Sequence, residues 1–155
     1  MLAMASQLLK EIHNCYKLTK SSHESCCTTR SQLLCFALES QGLKPKLIRY
    51  QSSRDQNRRT KICLISGEKE FKSHVVVLLG DVVLDSNVGE AMPKKEYDER
   101  MRELNKGLDI FSEEYNPKPS KEELLRICEK CGLSRVFREG VRNALKGDEK
   151  KCPKR

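Results

Sequence analysis

The chain has 155 residues, a length that suits one domain with one hydrophobic core. Charged residues make up 34% of it and hydrophobic residues 37%, a composition typical of folded chains. No apolar run approaches the ~18 uncharged residues of a membrane span, and the apolar start, residues 1–9, lacks the basic residues and cleavage pattern of a secretory signal. The sequence therefore excludes a transmembrane helix and predicts a cytoplasmic protein without a classical signal peptide.

The chain is basic, with a net charge of +8. The excess of Lys and Arg lies at the two ends of the sequence, and the middle is slightly acidic. A diffuse excess of this kind is typical of a solvated surface and can also steer an acidic protein partner. With four Tyr, four Phe and no Trp, the chain has no interleaved set of stacking aromatic residues, which argues against nucleic acid as a partner.

Eight cysteines are present, and several fall on helical, core-facing positions. We expect mostly free thiols in a reducing compartment. Cys128 and Cys131 lie three residues apart and could share a zinc ion, but the second pair of ligands that such a site needs is missing. We interpret this pair as half-buried core thiols, so the sequence predicts neither a metal ion nor a cofactor.

The spacing of apolar residues predicts helices at residues 4–19 and 27–41, the second ending at Gly42. Alternating or continuous apolar residues predict four strands that follow. These strands are Lys44–Tyr50, Lys61–Ile65, Phe71–Leu79 and Val82–Asp85.

The last two strands form the clearest hairpin signal. Residues 75–79 are continuously apolar, which indicates a central strand covered on both faces, and residues 80–81 (Gly-Asp) form a two-residue turn. This turn sets a register in which Asn87 lies opposite His74 and Asp85 is a diagonal neighbour of His74 on the same face. Diagonal neighbours are about 7–8 Å apart, a distance that two side chains can bridge.

Three further helices are predicted in the second half of the chain. Pro93 opens the first, which places Tyr97, Met101, Leu104 and Leu108 on one face. After a proline-rich linker at residues 116–119, an S-x-x-E capping box opens a helix that runs through Cys131, and Ser134 caps a last helix with Phe137, Val141 and Leu145 on its apolar face. We therefore predict a domain at residues 1–115, followed by a helical hairpin and basic tail at residues 116–155.

The sequence contains one pattern that indicates catalysis. It is a cysteine at the start of a helix, followed by a His and an Asp on adjacent strands. Cys26 and Cys27 stand where the second helix begins, and the unpaired N–H groups there favour a thiolate. His74 begins the apolar strand and Asp85 ends its partner. An Asp that orients an imidazole, which in turn deprotonates a thiol, is the arrangement of nucleophilic cysteine catalysis.

These segments carry a family resemblance. The run from Cys27 to Gly42, with LLCFALESQGLKPKLI, and the run HVVVLLGDVVLDSN from His74 to Asn87 resemble the transglutaminase-like cysteine hydrolases of the papain-like superfamily, in particular the bacterial transglutaminase-like cysteine proteases. The resemblance implies an α+β fold in which N-terminal helices pack on an antiparallel sheet. It implies Cys27 as nucleophile, His74 as general base and acid, and Asp85 as orienting residue.

Two of these roles have alternatives in the sequence. Cys26 is the alternative nucleophile, and Asn87 is the alternative orienting residue. The function that the resemblance implies is a cysteine-dependent hydrolase that acts on a protein substrate through a thioester, as a peptidase or glutamine deamidase, including an effector delivered into a host cytosol. The alternatives are a transglutaminase or acyltransferase, and a catalytically silent adaptor whose basic helical hairpin, residues 120–145, binds an acidic protein.

Overall fold

The computed structural model of the protein describes residues 2–52 and 60–146, and its secondary structure confirms the predicted α+β class. The helices are α1 (Leu2–Thr19), α2 (Cys27–Ser40), α3 (Lys94–Leu104), α4 (Lys121–Lys130) and α5 (Arg135–Ala144). The strands are β1 (Lys46–Gln51), β2 (His74–Leu79), β3 (Val82–Leu84), β4 (Ala91–Pro93) and β5 (Phe111–Glu114). The predicted basic tail at residues 147–155 lies outside the described residues.

The five strands form one antiparallel sheet in the order β4-β3-β2-β1-β5. Strand β2 is central, as its continuous apolar run predicts. The two-residue turn sets the expected register, with Leu79 opposite Val82 and Val77 opposite Leu84. Gly80 supplies the left-handed backbone that the turn needs, at φ +63°.

The central strand is covered on both faces. Val77 and Leu84 belong to the larger hydrophobic cluster, which lies under α1, α2, α4 and α5. Val76 and Val83 belong to a second cluster on the opposite face, together with residues of β1, β4 and α3. Alternate residues of β2 therefore pack into two different hydrophobic clusters, one on each face of the sheet, as expected for a strand whose two faces are both apolar.

The α4–α5 hairpin packs directly on α2. Half of the predicted capping box forms: the Ser120 hydroxyl accepts a hydrogen bond of 3.2 Å from the Glu123 backbone N–H, whereas the Glu123 carboxylate accepts from Arg126. A Cβ added at Gly140 would lie 2.6 Å from the backbone carbonyl of Phe36, so α5 approaches α2 backbone to backbone at this point. Helices α4 and α5 therefore share one hydrophobic core with α1 and α2.

The strand predicted at residues 61–65 does not form. Its only ladder contact within the described chain is a single bridge between Ile62 and Phe71, although Ile62 and Leu64 are buried. The segment is a loop that packs apolar side chains into the second cluster, and β2 begins at His74 rather than at Phe71. Two short strands, β4 and β5, were not predicted.

Helix α3 is shorter than the sequence predicts. It ends at Leu104 because the Asn105 side chain donates to the Met101 carbonyl at 2.8 Å and accepts from the Cys63 backbone N–H at 2.7 Å. Leu104 is 48% exposed, so the apolar face predicted for the helix is buried within α3 only at Tyr97 and Met101. Leu108 packs against the second cluster, but from beyond the end of the helix.

A disulfide joins Cys15 on α1 to Cys131 at the end of α4. This corrects the interpretation of Cys131 as a core thiol, whereas Cys128 is a buried free thiol as expected. The other free cysteines of the described residues are Cys26, Cys27, Cys35 and Cys63. None of the helices described is both long and apolar enough to cross a membrane.

Candidate active site

Cys27 is the first residue of α2 and is half-buried. Cys26 precedes it as the N-cap residue, with an extended backbone (φ −115°, ψ 167°) and no side-chain hydrogen bond that caps the helix. The first N–H groups of α2 therefore have neither an intrahelical partner nor a side-chain cap at the point where the Cys27 thiol lies. Such a terminus favours negative charge on the thiol and on any oxygen bound beside it.

His74 is fully buried, and its ring interacts with both the Cys27 thiol and the carboxylate of Asp85. Its Nε2 atom is 2.9 Å from Asp85 Oδ1. Its Nδ1 atom has no aligned hydrogen-bond partner within the described ranges, and the thiol of Cys27 interacts with the same ring. Since Asp85 accepts from Nε2, the proton sits there and Nδ1 is left to receive the thiol proton.

Asp85 is buried at the end of β3 and accepts three hydrogen bonds. His74 and the backbone N–H of Asn87 donate to Oδ1, each at 2.9 Å, and the Tyr97 hydroxyl donates to Oδ2 at 2.6 Å. Burial alone would raise the pKa of the Asp85 carboxyl, but the charge of His74 and the three donors outweigh it and hold the pKa below its ordinary value. Asp85 is therefore an ionised, fixed acceptor for the ring.

The thiol and the ring shift each other's pKa in opposite directions. Burial raises the pKa of Cys27, but its interaction with His74, a hydrogen bond involving the Val75 backbone and the charge of Arg30 together bring it below its ordinary value. Burial lowers the pKa of His74, but Asp85 and Cys27 raise it to about 10. Both shifts favour a thiolate–imidazolium pair near neutral pH.

Arg30, one turn after Cys27, is a buried cation with neutral partners. Only 4% of it is exposed, and it donates to Ser86 Oγ (3.0 Å), to the carbonyl and hydroxyl oxygens of Ser25 (3.0 and 2.9 Å) and to Asn87 Oδ1 (2.7 Å). Its guanidinium also lies 4.9 Å from the centre of the Tyr16 ring. In the part of the chain that the structure describes, it forms no ion pair with a carboxylate.

The side chain of Asn87, the alternative orienting residue, forms its hydrogen bonds with Arg30 and Glu68 and not with His74. Its Oδ1 atom accepts from Arg30, and its Nδ2 atom donates to Glu68 Oε1 at 2.9 Å. Asn87 instead supplies its backbone N–H to Asp85. Asp85 is the residue whose side chain contacts the ring.

Cys26 is exposed, and its Sγ atom lies 3.3 Å from the hydroxyl of Thr29. The thiol that interacts with His74 is that of Cys27. The structure therefore brings the predicted residues Cys27, His74 and Asp85 together and leaves Cys26 beside them, at the rim of the cleft.

A cleft of about 210 Å³ opens next to Cys27. It is bounded by the end of α1, the start of α2 and the loops that carry Glu68 and Asn87. Its lining residues are Tyr16, Lys20, His23, Ser25, Cys26, Cys27, Arg30, Glu68, Phe71 and Asn87. Among the residues described, no group of three or more His, Cys, Asp or Glu side chains is arranged to hold a metal ion.

Sequence reasoning missed the roles of Tyr97 and Arg30. Tyr97 carries only the signal of a buried position on the face of α3, which does not reveal where its hydroxyl points. Arg30 carries a stronger signal, because residues three apart on a helix are neighbours and Arg30 lies three positions after Cys27. A charge on a helix is usually solvated, however, and its burial follows only from contacts with the distant residues Ser86 and Asn87.

Comparisons of the chain with protein-family models, with curated proteins and with solved structures find no match. The chemistry of the site is therefore argued from the residues described above.

Proposed function

We propose that this protein is a cysteine-dependent acyl hydrolase that acts on a protein substrate. One observation carries the proposal: the buried His74 ring contacts Asp85 through Nε2 while Nδ1 has no aligned partner and the Cys27 thiol interacts with the ring. Buried polar atoms are normally hydrogen-bonded, so a purely structural histidine would have both ring nitrogens satisfied. An open Nδ1 beside a thiol is what a general base requires.

The first half of the reaction forms a thioester. His74 Nδ1 takes the proton of the Cys27 thiol before substrate binds, which gives the thiolate–imidazolium pair, and the thiolate attacks the carbonyl carbon of the substrate. The N–H groups at the start of α2 can donate to the oxyanion that develops. The imidazolium then gives its proton to the leaving amine, the C–N bond breaks, and the acyl group stays on sulfur.

In the second half, His74 takes a proton from water, and the resulting hydroxide attacks the thioester. The C–S bond breaks, the carboxylic acid leaves, and Cys27 is restored. Asp85 holds the ring in one orientation and stabilises its positive charge in both halves. Peptidase and glutamine deamidase share these steps and differ only in whether the carbonyl belongs to a peptide bond or to a side-chain amide.

The architecture supports the same proposal. A helix that begins at the nucleophile and packs on an antiparallel sheet carrying the His and the Asp is the arrangement expected of a papain-like core. The free thiol of the nucleophile is compatible with a cytosol, that of the cell itself or of a host, whereas the Cys15–Cys131 disulfide is more typical of an oxidising compartment. A transglutaminase would form the same thioester and pass the acyl group to an amine instead of water.

Acylation by p-nitrophenyl acetate tests the proposal without a known substrate. We expect an acetyl group on Cys27, detected by mass spectrometry, that hydroxylamine removes and that water removes more slowly. The Cys26→Ser variant should react like the parent, and Cys27→Ala should not be acylated at either position. Adding a primary amine separates hydrolase from acyltransferase by the product formed.

Acylation that persists in Cys27→Ala and disappears in Cys26→Ser would move the nucleophile by one residue. If neither thiol is acylated faster than a small free thiol, the hydrolase proposal fails. The silent adaptor would then be the better interpretation.

A further inference from the structure

The wall of the cleft on the α1 and α2 side is lined by cations. Arg30 is buried there with neutral hydrogen-bond partners, which occupy four of its five N–H donors. Lys20 is exposed, its ammonium lies 5.6 Å from the centre of the Tyr16 ring, and it forms no ion pair within residues 2–52 and 60–146. His23 lines the same wall.

The cleft also contains one carboxylate, that of Glu68, which is part of the framework. Its Oε1 atom accepts from the Tyr16 hydroxyl (2.7 Å), the Ser66 hydroxyl (2.9 Å) and the Asn87 amide (2.9 Å). Asn87 in turn accepts from Arg30, so Glu68 is linked to the cation through a neutral amide rather than by direct contact. Two full positive charges thus face the cleft against the carboxylate of Glu68 and the thiolate of Cys27. The thiolate loses its charge when the thioester forms, which leaves two positive charges against one negative charge.

A buried charge is costly to desolvate and is normally paired. Arg30 keeps its charge next to Cys27 without a carboxylate of the described chain in contact. We infer that this wall is a specificity subsite for an acidic side chain, Asp or Glu, next to the carbonyl that Cys27 attacks. The inference rests on the proposed function and makes its substrates acidic peptides or proteins.

The chemistry of recognition is electrostatic. A substrate carboxylate would lie near the guanidinium of Arg30 and could pair with the exposed ammonium of Lys20 at the mouth of the cleft. A lysine or arginine at that position would instead meet two like charges. Glu68 opposes the subsite, since it adds a negative charge to the same cleft.

Two alkylating reagents of almost equal shape test this directly. Iodoacetate carries a carboxylate next to the reacting carbon, and iodoacetamide carries a neutral amide there. Their rates are measured at Cys27 in the Cys26→Ser background, which removes the adjacent thiol, and their ratio is compared with that of 2-mercaptoethanol. We expect the ratio of iodoacetate to iodoacetamide at Cys27 to exceed that of the free thiol by about threefold or more, as one nearby unit charge allows.

Matched variants test whether the preference for iodoacetate comes from the charged residues that line the cleft. Lys20→Ala should lower the ratio, and Glu68→Gln, which keeps an oxygen acceptor, should raise it. Lys17→Ala removes an exposed charge from α1 outside the cleft and should leave it unchanged. Added salt should lower the ratio in the parent.

The outcomes separate the two claims. Fast alkylation of Cys27 by iodoacetamide with no preference for iodoacetate overturns the subsite and leaves the hydrolase proposal standing. Alkylation no faster than that of 2-mercaptoethanol with both reagents overturns the hydrolase proposal and the subsite with it. A preference that Lys20→Ala and Lys17→Ala reduce equally also overturns the subsite, because net charge would then explain it.

Discussion

The α4–α5 hairpin and the active-site end of the sheet are both buried, but they are buried for opposite reasons. In the hairpin, the residues turned away from water are apolar, such as Ile127, Phe137 and Val141. At the end of the sheet they are His74, Asp85 and other groups that carry or share charge. Burial of the first kind contributes free energy of folding, whereas burial of the second kind costs free energy unless every group finds a partner.

This difference separates stability from chemistry along the chain. The hairpin shares the larger hydrophobic cluster with α1 and α2, so its removal would expose the core. The site contributes less to folding, and its one open nitrogen, His74 Nδ1, is a cost that chemistry explains. Substitutions in the two regions should therefore affect different measurements.

The largest effect on stability is expected for Phe137→Ala. Phe137 is fully buried between α5 and the rest of the core, and its loss should lower the free energy of unfolding by about 3–5 kcal/mol. Urea denaturation measures this change. Cys27 in the folded fraction should keep its alkylation rate, and a parallel loss of thiol reactivity in folded protein would show that the two regions are coupled.

The largest effect on chemistry is expected for His74→Gln. The amide can still donate to Asp85, but it cannot act as a base, so alkylation of Cys27 at pH 6 should fall by about 10²-fold. The free energy of unfolding should change less than in Phe137→Ala. A variant that unfolds while the remaining native protein reacts normally would assign His74 to structure alone.

A smaller effect on the reactivity of Cys27 is expected for Tyr97→Phe. The hydroxyl of Tyr97 helps to hold the pKa of Asp85 low, so its loss should let Asp85 take up a proton at higher pH. The imidazolium then loses its partner earlier on acidification, and the acid limb of the Cys27 alkylation profile should move to higher pH. The fall in rate should be confined to this acid limb, and the rate at pH 7 should stay close to that of the parent, because His74 and the Asn87 N–H still keep Asp85 ionised there.

Tyr50 offers a matched control for this prediction. Its ring lies 5.2 Å from that of Tyr97, but its hydroxyl donates to Asp98 rather than to Asp85. Tyr50→Phe should therefore leave the pH profile of Cys27 unchanged. Equal shifts in the two variants would indicate altered packing instead of a lost donor to Asp85.

The smallest effect is expected for Ser120→Ala, which removes the cap of α4. Stability should fall by about 1 kcal/mol with no change in the reactivity of Cys27. Ser120→Asp keeps an acceptor for the Glu123 N–H and should restore most of the loss. Thermal unfolding of the three proteins measures the series, and a failure of Asp to rescue would contradict the role of the cap.

Sequence patterns predicted the elements whose signals are local. The Ser120 cap and the turn at residues 80–81 act over a few residues, and both form as predicted. Strands β4 and β5 could not be predicted this way, because they have three and four residues and are defined by pairing with β3 and β1. The segment 61–65 shows the reverse error, since its apolar residues pack as a loop without forming a ladder.

The residues of the candidate site also differ in whether local sequence signals could predict them. The register of the hairpin brought Asp85 close to His74, and the helix start identified Cys27. The hydrogen bond from Tyr97 to Asp85 and the burial of Arg30 depend on contacts between segments far apart in the chain, as does the disulfide between Cys15 and Cys131. Amino-acid type alone does not encode such contacts.

The most direct test of the central claim is the pH dependence of Cys27 alkylation by limiting iodoacetamide in the Cys26→Ser background, from pH 5 to pH 9. The lowered pKa of Cys27 and the raised pKa of His74 predict a thiolate–imidazolium pair that persists through neutral pH and is lost as pH falls through the thiol pKa. Cys27 should then react at pH 6 far faster than the other thiols. Equal reaction of all accessible cysteines, with rates that rise only near the ordinary thiol pKa of about 8.5, would contradict the account.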